Sequence, residues 1–168
     1  MEQTAGAHIL EQRDIVASLD REFARLHFRS TAIIESTRAS LLYESSAVPG
    51  LRSIGENVLR SAAAIEQTFG GLTANLWDDP FEWTLPEQLS TPSIVLAHLL
   101  EVEETRKHAF QSFTDDLCLL KSIATPADGL VTLMELLLRT LLRAAHYQSR
   151  AAVALQALSG ISPSGLII

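Results

Sequence analysis

The chain has 168 residues, 47% of them hydrophobic, and a formal net charge of −7. That length suits one domain with a sizeable core, and that apolar content rules out a disordered chain. The negative balance argues against nucleic acid or an anionic membrane as partner, because phosphate contacts need a basic surface. It leaves room for a small anion held by a few local arginines. Cys118 is the single cysteine, so an intrachain disulfide and a zinc–thiolate cluster are excluded, and a buried core role is expected for it. The opening from Met1 to His8 lacks the basic and apolar blocks of a signal peptide, and no apolar stretch reaches membrane-spanning length. A soluble cytoplasmic protein is the expectation.

The first helical segment is read from about Gln12 to Tyr43. Val16, Leu19, Phe23, Leu26, Ile33 and Leu41 recur at three- and four-residue steps, as on one face of an amphipathic helix. Ser30 and Thr37 interrupt the stripe, which places a kink or break near Arg29-Ser30, and Pro49-Gly50 marks a turn. The second segment opens on Ser53-Ile54-Gly55-Glu56, the pattern of a capping box. Ile54, Val58, Ala62, Ile65, Phe69 and Leu72 follow at helical spacing, with a fray expected at Gly70-Gly71. Residues from Leu76 to Pro86 hold two prolines, Trp77, Phe81 and Trp83, and read as a loop whose rings pack back on the helices, the rival reading being a lid or partner-binding patch.

Thr91-Pro92 starts the third segment as an N-cap followed by proline at the first helical position. Val95, Leu99, Val102, Ala109, Phe110 and Phe113 form its apolar face. Glu101, Glu103 and Glu104 read as solvated charges balanced by Arg106-Lys107. A turn at Pro126 to Gly129 follows, and Thr132-Leu133-Met134-Glu135 is a second capping-box pattern opening a helix to about Leu158, stopped by Gly160. No alternating run of strand length is evident. The reading is an all-α four-helix bundle in one domain over residues 1–168, with its core at about 12–158. In the tail 159–168, the apolar end Leu166-Ile167-Ile168 is expected to dock.

The order of these features, SIGENVLRSAAAIEQTFGG after a Pro-Gly turn, a proline-interrupted linker, then TLMELLLRTLLRAAHYQSRAAVALQAL, resembles the DinB/YfiT-like family over about residues 15–158. The resemblance implies a four-helix bundle that usually holds a divalent metal with three histidines. One sits on the second helix and two at i and i+4 on the last, forming a site used by thiol-dependent transferases and isomerases. Carried onto this chain, the second-helix position falls on Arg60 and the last-helix positions on Arg143 and Tyr147. A one-residue shift gives His146 and Arg150 instead. Guanidiniums carry permanent positive charge and do not ligate metal, so in neither register is the triad present and no metal or other cofactor is expected.

Two readings follow. In one, Arg60, Arg143, His146, Tyr147 and Arg150 form a pocket for a small carboxylate or phosphate in a non-catalytic binding or interaction protein. Pairing into a homodimer is plausible because an unbroken first helix of thirty residues would be about 45 Å long. In the other, the chain is a metal- or thiol-dependent transferase or isomerase with Tyr147 or His146 as its acid–base group. No nucleophile, base and orienting group can be named for it. Against any pocket, Glu135, Arg139, Arg143, His146 and Arg150 share one helical stripe and fit a solvated face, and Glu56 and Arg60 fit an exposed i,i+4 pair. An internal bridge from an arginine to Glu66 is an intermediate case. His98, Glu101, Thr105 and His108 lie along one helix, too spread for one ion without a ligand from elsewhere. The sequence shows no Gly-rich phosphate loop, nucleophile elbow or Cys-His arrangement.

Overall fold

The structure is a computed structural model that describes residues 12–82 and 87–162, without the side chain of Glu82. Four helices dominate it: α1 (Asp14–Glu35), α2 (Ile54–Ala74), α3 (Pro92–Gln111) and α4 (Leu133–Ser159). One core cluster joins Val16, Phe23, Phe69, Phe110, Phe113 and Leu137; the other joins Ile33, Ile54, Val58, Val95, Ala151 and Leu155. The early part of α1 therefore meets the late part of α2 and α3 and the early part of α4. So α1 and α4 run one way, α2 and α3 the other. Among the described residues, no helix is long and apolar enough to cross a membrane.

The starts of the helices follow the side chains that cap them. Ser53 Oγ accepts from the Glu56 amide while the Glu56 carboxylate accepts from the Ser53 amide, so the first box closes on both sides. Thr91 caps α3 ahead of Pro92. Thr132 accepts from the Glu135 amide, but the box stays half made: Glu135 turns to pair with Arg139 instead. Helix α1 has no cap of its own at Arg13. The Asp116 carboxylate supplies one by accepting from the amides of Ile15 and Val16, and Arg13 in return donates to the carbonyls of Phe110 and Phe113 at the end of α3. Orphan donors of one helix and orphan acceptors of another are thus met by opposite charges, as the helix dipoles favour.

Four expectations are corrected. Helix α1 passes unbroken through Arg29-Ser30 and ends at Glu35, and Ala39–Leu41 forms a separate 3-10 turn that delivers buried Leu42 to the core. At 22 residues, α1 lacks the extra length on which pairing was argued. Helix α2 does not fray at Gly70-Gly71 but continues to Ala74 and closes on Asn75 in the left-handed region. The turn at 126–129 belongs to a hairpin, β1 (Ser122–Thr125) with β2 (Gly129–Thr132), antiparallel with Ser122 opposite Thr132. These strands are too short to show an alternating pattern. The fourth and largest correction concerns the charges of α3.

Glu103 and Arg106 are not solvated. Arg106 is 2% exposed, with Nε and Nη2 donating to the two Glu103 oxygens at 2.8 Å and Nη1 reaching Asp20 on α1. Burial alone would pull the Arg106 pKa down; the bonds to Glu103 and Asp20 outweigh it and hold it above the ordinary value. The i,i+3 pair reads on paper like any surface pair, and only the packing of α1 over it decides otherwise. Residues 163–168 and Trp83 lie outside the described residues, and with them the expected docking of Leu166 to Ile168 and the expected packing of Trp83.

Residues 75–91 must return from the Phe69 end of α2 to the Val95 end of α3, because those two helices are parallel. With 21 residues α2 is about 30 Å long, and the described parts of the connection, residues 75–82 and 87–91, lie along that distance as a strap. Its Trp77 ring lies against Gly71, where an added Cβ would come within 2.3 Å of the ring. Farther along, after a 3-10 turn at Pro80–Glu82, the Leu89 carbonyl accepts from the Tyr43 hydroxyl at 2.6 Å.

Two outcomes follow. Gly71→Ala should cost about 1–3 kcal/mol by overpacking, with a red-shifted tryptophan emission as Trp77 is pushed outward. Arg106→Met should cost about 3–5 kcal/mol in urea denaturation because it strands Glu103, and adding Glu103→Gln should recover part of the loss.

Candidate functional site

Helix α2 presents Arg60, Ala64, Gln67 and Gly71 along one stripe at four-, three- and four-residue steps. Facing it, α4 presents Leu136, Arg139, Thr140, Arg143 and Tyr147. The two helices approach closely because the contact is made of small groups: Ser61 Oγ donates to the Ala144 carbonyl at 2.9 Å, and Thr68 Oγ1 lies 2.7 Å from Thr140 Oγ1. The strap runs beside this groove. Gln67 Nε2 donates to the Trp77 carbonyl at 2.8 Å, Asp79 accepts from Arg143 Nη2 at 3.2 Å, and the Phe81 ring carries the Arg60 guanidinium 3.9 Å from its centroid.

What the strap leaves open is a cleft of about 420 Å³ between α2, α4, Trp77 and the hairpin turn. Ala64, Leu136 and the hairpin's Pro126 give it apolar wall. Gln67, Thr68, Arg139, Thr140 and Arg143 give it polar groups. Both arginines are held by aspartates from different loops: Arg143 by Asp79 of the strap, and Arg139 by Asp128 of the hairpin turn at 3.1 Å. Thr68 and Thr140 are almost fully buried at the base. A space of this size with convergent polar groups has the form of a small-molecule site.

Of the five residues singled out in the sequence, the structure gathers three on this groove. Arg143 forms part of the cleft wall and also donates to Gln67 Oε1 at 2.9 Å. Arg60 stands next to it in the groove, half-buried between the Phe81 ring and the Tyr147 ring, the latter 5.9 Å away. Its Nε is buried and has no hydrogen-bond partner among the described residues. His146 is exposed, its ring meeting that of Tyr147 edge-on at 5.4 Å. Arg150 points elsewhere and donates to the Gly50 carbonyl in the α1–α2 connection. The stripe of Glu135, Arg139, Arg143 and His146 is solvent-facing as expected, yet two of its arginines are tied across to loops. The residues that sequence reasoning missed are Gln67, Thr68, Asp79, Asp128 and Thr140. The one signal available was a threonine at a core position in each of two facing helices.

Glu66 pairs with neither arginine. It lies 3.6 Å from His98 Nε2 on α3, and its Oε2 is buried without a hydrogen bond. His98 thus gains its partner from another helix. Among the described residues, however, no three of His, Cys, Asp and Glu come together at metal-binding distances.

Burial holds the Glu66 carboxyl above the usual carboxylate range, Glu101 adding to the effect and His98 opposing it. A raised folded-state pKa leaves stability intact while the group is protonated and removes it as pH rises through the folded value. Glu66→Gln should therefore improve Tm relative to the native chain more at pH 7 than at pH 4; a larger gain at pH 4 would contradict this account. Comparisons of the chain with protein-family models, with curated proteins and with solved structures return no match.

Proposed function

We propose that the chain is a DinB/YfiT-like bundle without the three-histidine metal site, serving as a non-catalytic binder of a small anionic molecule in the α2–α4 groove. One observation carries the reading. Arg60, Arg143 and Tyr147, the residues matched to the ligand positions of that family, all border the same groove, and the groove opens into a cleft of ligand size. A site built for a cation would gather neutral or anionic donors there. This one gathers three guanidiniums, two of them paired with aspartates on exchangeable surface loops, which favours a carboxylate or phosphate that replaces those partners.

Support from chemistry is also negative for catalysis. The reacting machinery of acyl, phosphoryl or thiol transfer needs a nucleophile or base with an orienting partner. The only cysteine is buried in the core away from this groove, and burial pushes its thiol pKa up, against thiolate formation. Tyr147 and His146 meet edge to face, ring centroids 5.4 Å apart, with no hydrogen bond between them. The competing reading, a metal- or thiol-dependent transferase or isomerase, would need a ligand set from outside these residues.

The test is elemental analysis of protein purified without an affinity tag, together with equilibrium dialysis against phenylacetate. Substoichiometric nickel, zinc and iron with saturable phenylacetate binding is the expected result. One equivalent of tightly held metal, with phenylacetate excluded, would reverse the assignment in favour of the enzyme.

A further inference from the structure

The proton bookkeeping at the base of the cleft points to the ligand's second functional group. Thr140 Oγ1 donates its single proton to the Leu136 carbonyl one turn back, at 2.8 Å. In the 2.7 Å contact between the two hydroxyls, Thr68 must then be the donor. Both hydroxyl protons are consumed, and the Thr68 oxygen keeps its lone pairs with no donor directed at it among the described residues. Thr68 is among the side chains that line the cleft. The base of the cleft is an acceptor.

The rim is the opposite. Arg139 and Arg143 are one turn apart on α4, so their guanidiniums stand on the same wall. In the free chain each is already paired, Arg139 with Asp128 and with Glu135 on its own helix, Arg143 with Asp79 and Gln67. Both arginines and both aspartates are a quarter to a half exposed, and ion pairs at such positions contribute little and exchange readily. Each aspartate sits on a loop and occupies a guanidinium that a ligand's own anion would take.

On the reading of this groove as a small-anion site, we infer that its ligand is a hydroxy- or amino-carboxylate with an apolar body. The carboxylate goes to Arg139 and Arg143, displacing Asp79 or Asp128. The hydroxyl or amine donates to Thr68 Oγ1, and the apolar body rests on Trp77. Asp79 and Asp128 are stand-ins that keep the arginines ordered until the ligand arrives. The acceptor at the base selects among carboxylates, and the guanidiniums select carboxylates from neutral compounds.

The experiment is calorimetric titration of the full chain with mandelate, phenylacetate and mandelamide, which share the ring and differ only in hydroxyl and charge. Mandelate should bind about tenfold more tightly than phenylacetate, the difference of one buried hydrogen bond. Mandelamide should bind weakest. Asp79→Asn should tighten mandelate severalfold by removing the internal competitor; a structural role for Asp79 alone would weaken binding or leave it unchanged, and that result overturns the stand-in. Thr68→Val should bring mandelate down to the level of phenylacetate while phenylacetate itself is unmoved, and Thr68→Ser should keep the preference. Equal loss of both ligands in Thr68→Val, with Thr68→Ser also unselective, refutes the acceptor role. Phenylacetate bound as tightly as mandelate by the native chain refutes the hydroxy-acid assignment while leaving the small-anion reading in place. Failure of all three compounds to bind removes both.

Discussion

Ser61 on α2 donates its hydroxyl to the Ala144 carbonyl on α4 across 2.9 Å, and this contact fixes how near the two helices come. It is possible only because the facing surfaces are made of alanine, serine and threonine: Ala64 and Thr68 on one side, Thr140, Ala144 and Ala151 on the other, all buried. A leucine at either Ser61 or Ala144 would hold the axes apart. With α2 and α4 seated on each other in opposite directions, α3 completes the bundle parallel to α2, and the chain between them has to travel the length of the bundle on its outside. Its residues 77–81 lie along the groove beside the α2–α4 seam. The cleft is the part of the groove that the strap and the hairpin turn do not fill.

The strap's contacts divide by what they do. Burying an aromatic ring fully is worth about 1.5–3 kcal/mol, and the half-buried Trp77 against Gly71 and Phe81 on Arg60 each supply part of that as the strap's apolar anchor. The half-exposed pair of Asp79 with Arg143 contributes at most about 1 kcal/mol. Its value is in register: together with Gln67 on the Trp77 carbonyl and Tyr43 on the Leu89 carbonyl, it fixes which strap residue meets which helix residue. Weak polar contacts over a strong apolar anchor leave the guanidiniums ordered yet exchangeable.

Local signals were legible in the sequence where the physics is local. The Ser53–Glu56 box, the Thr91-Pro92 start and the Gly160 stop each act within one turn of chain, and each stands where the pattern placed it. The apolar periods of α1, α2 and α3 likewise identify core residues. Signals that depend on distant partners were not legible. Glu103 and Arg106 have the spacing of a surface pair and become buried only because α1 covers them with Asp20 in reach. Ser30, read as an interruption of α1, is a buried partner of Gln148 on α4, and the helix has no reason to break there. The hairpin strands are four residues each, below the length at which alternation can be told from chance. For the site, helix spacing found Arg143 and Arg60. It could not find Asp79 or Asp128, whose positions depend on where two loops land, nor the threonine pair, whose meaning appears only when α2 and α4 are placed face to face.

The central claim is that fixed positive charge, steadied by a strap, occupies the groove between α2 and α4. A high-resolution electron-density map of the groove from crystals of the untagged protein tests this most directly. The account predicts the Phe81 ring over the Arg60 guanidinium, Arg143 bonded to Asp79 or to an anion, and no metal-like peak. A strap lifted from the groove, with a cation chelated by side chains of α2 and α4 beneath it, would contradict the account.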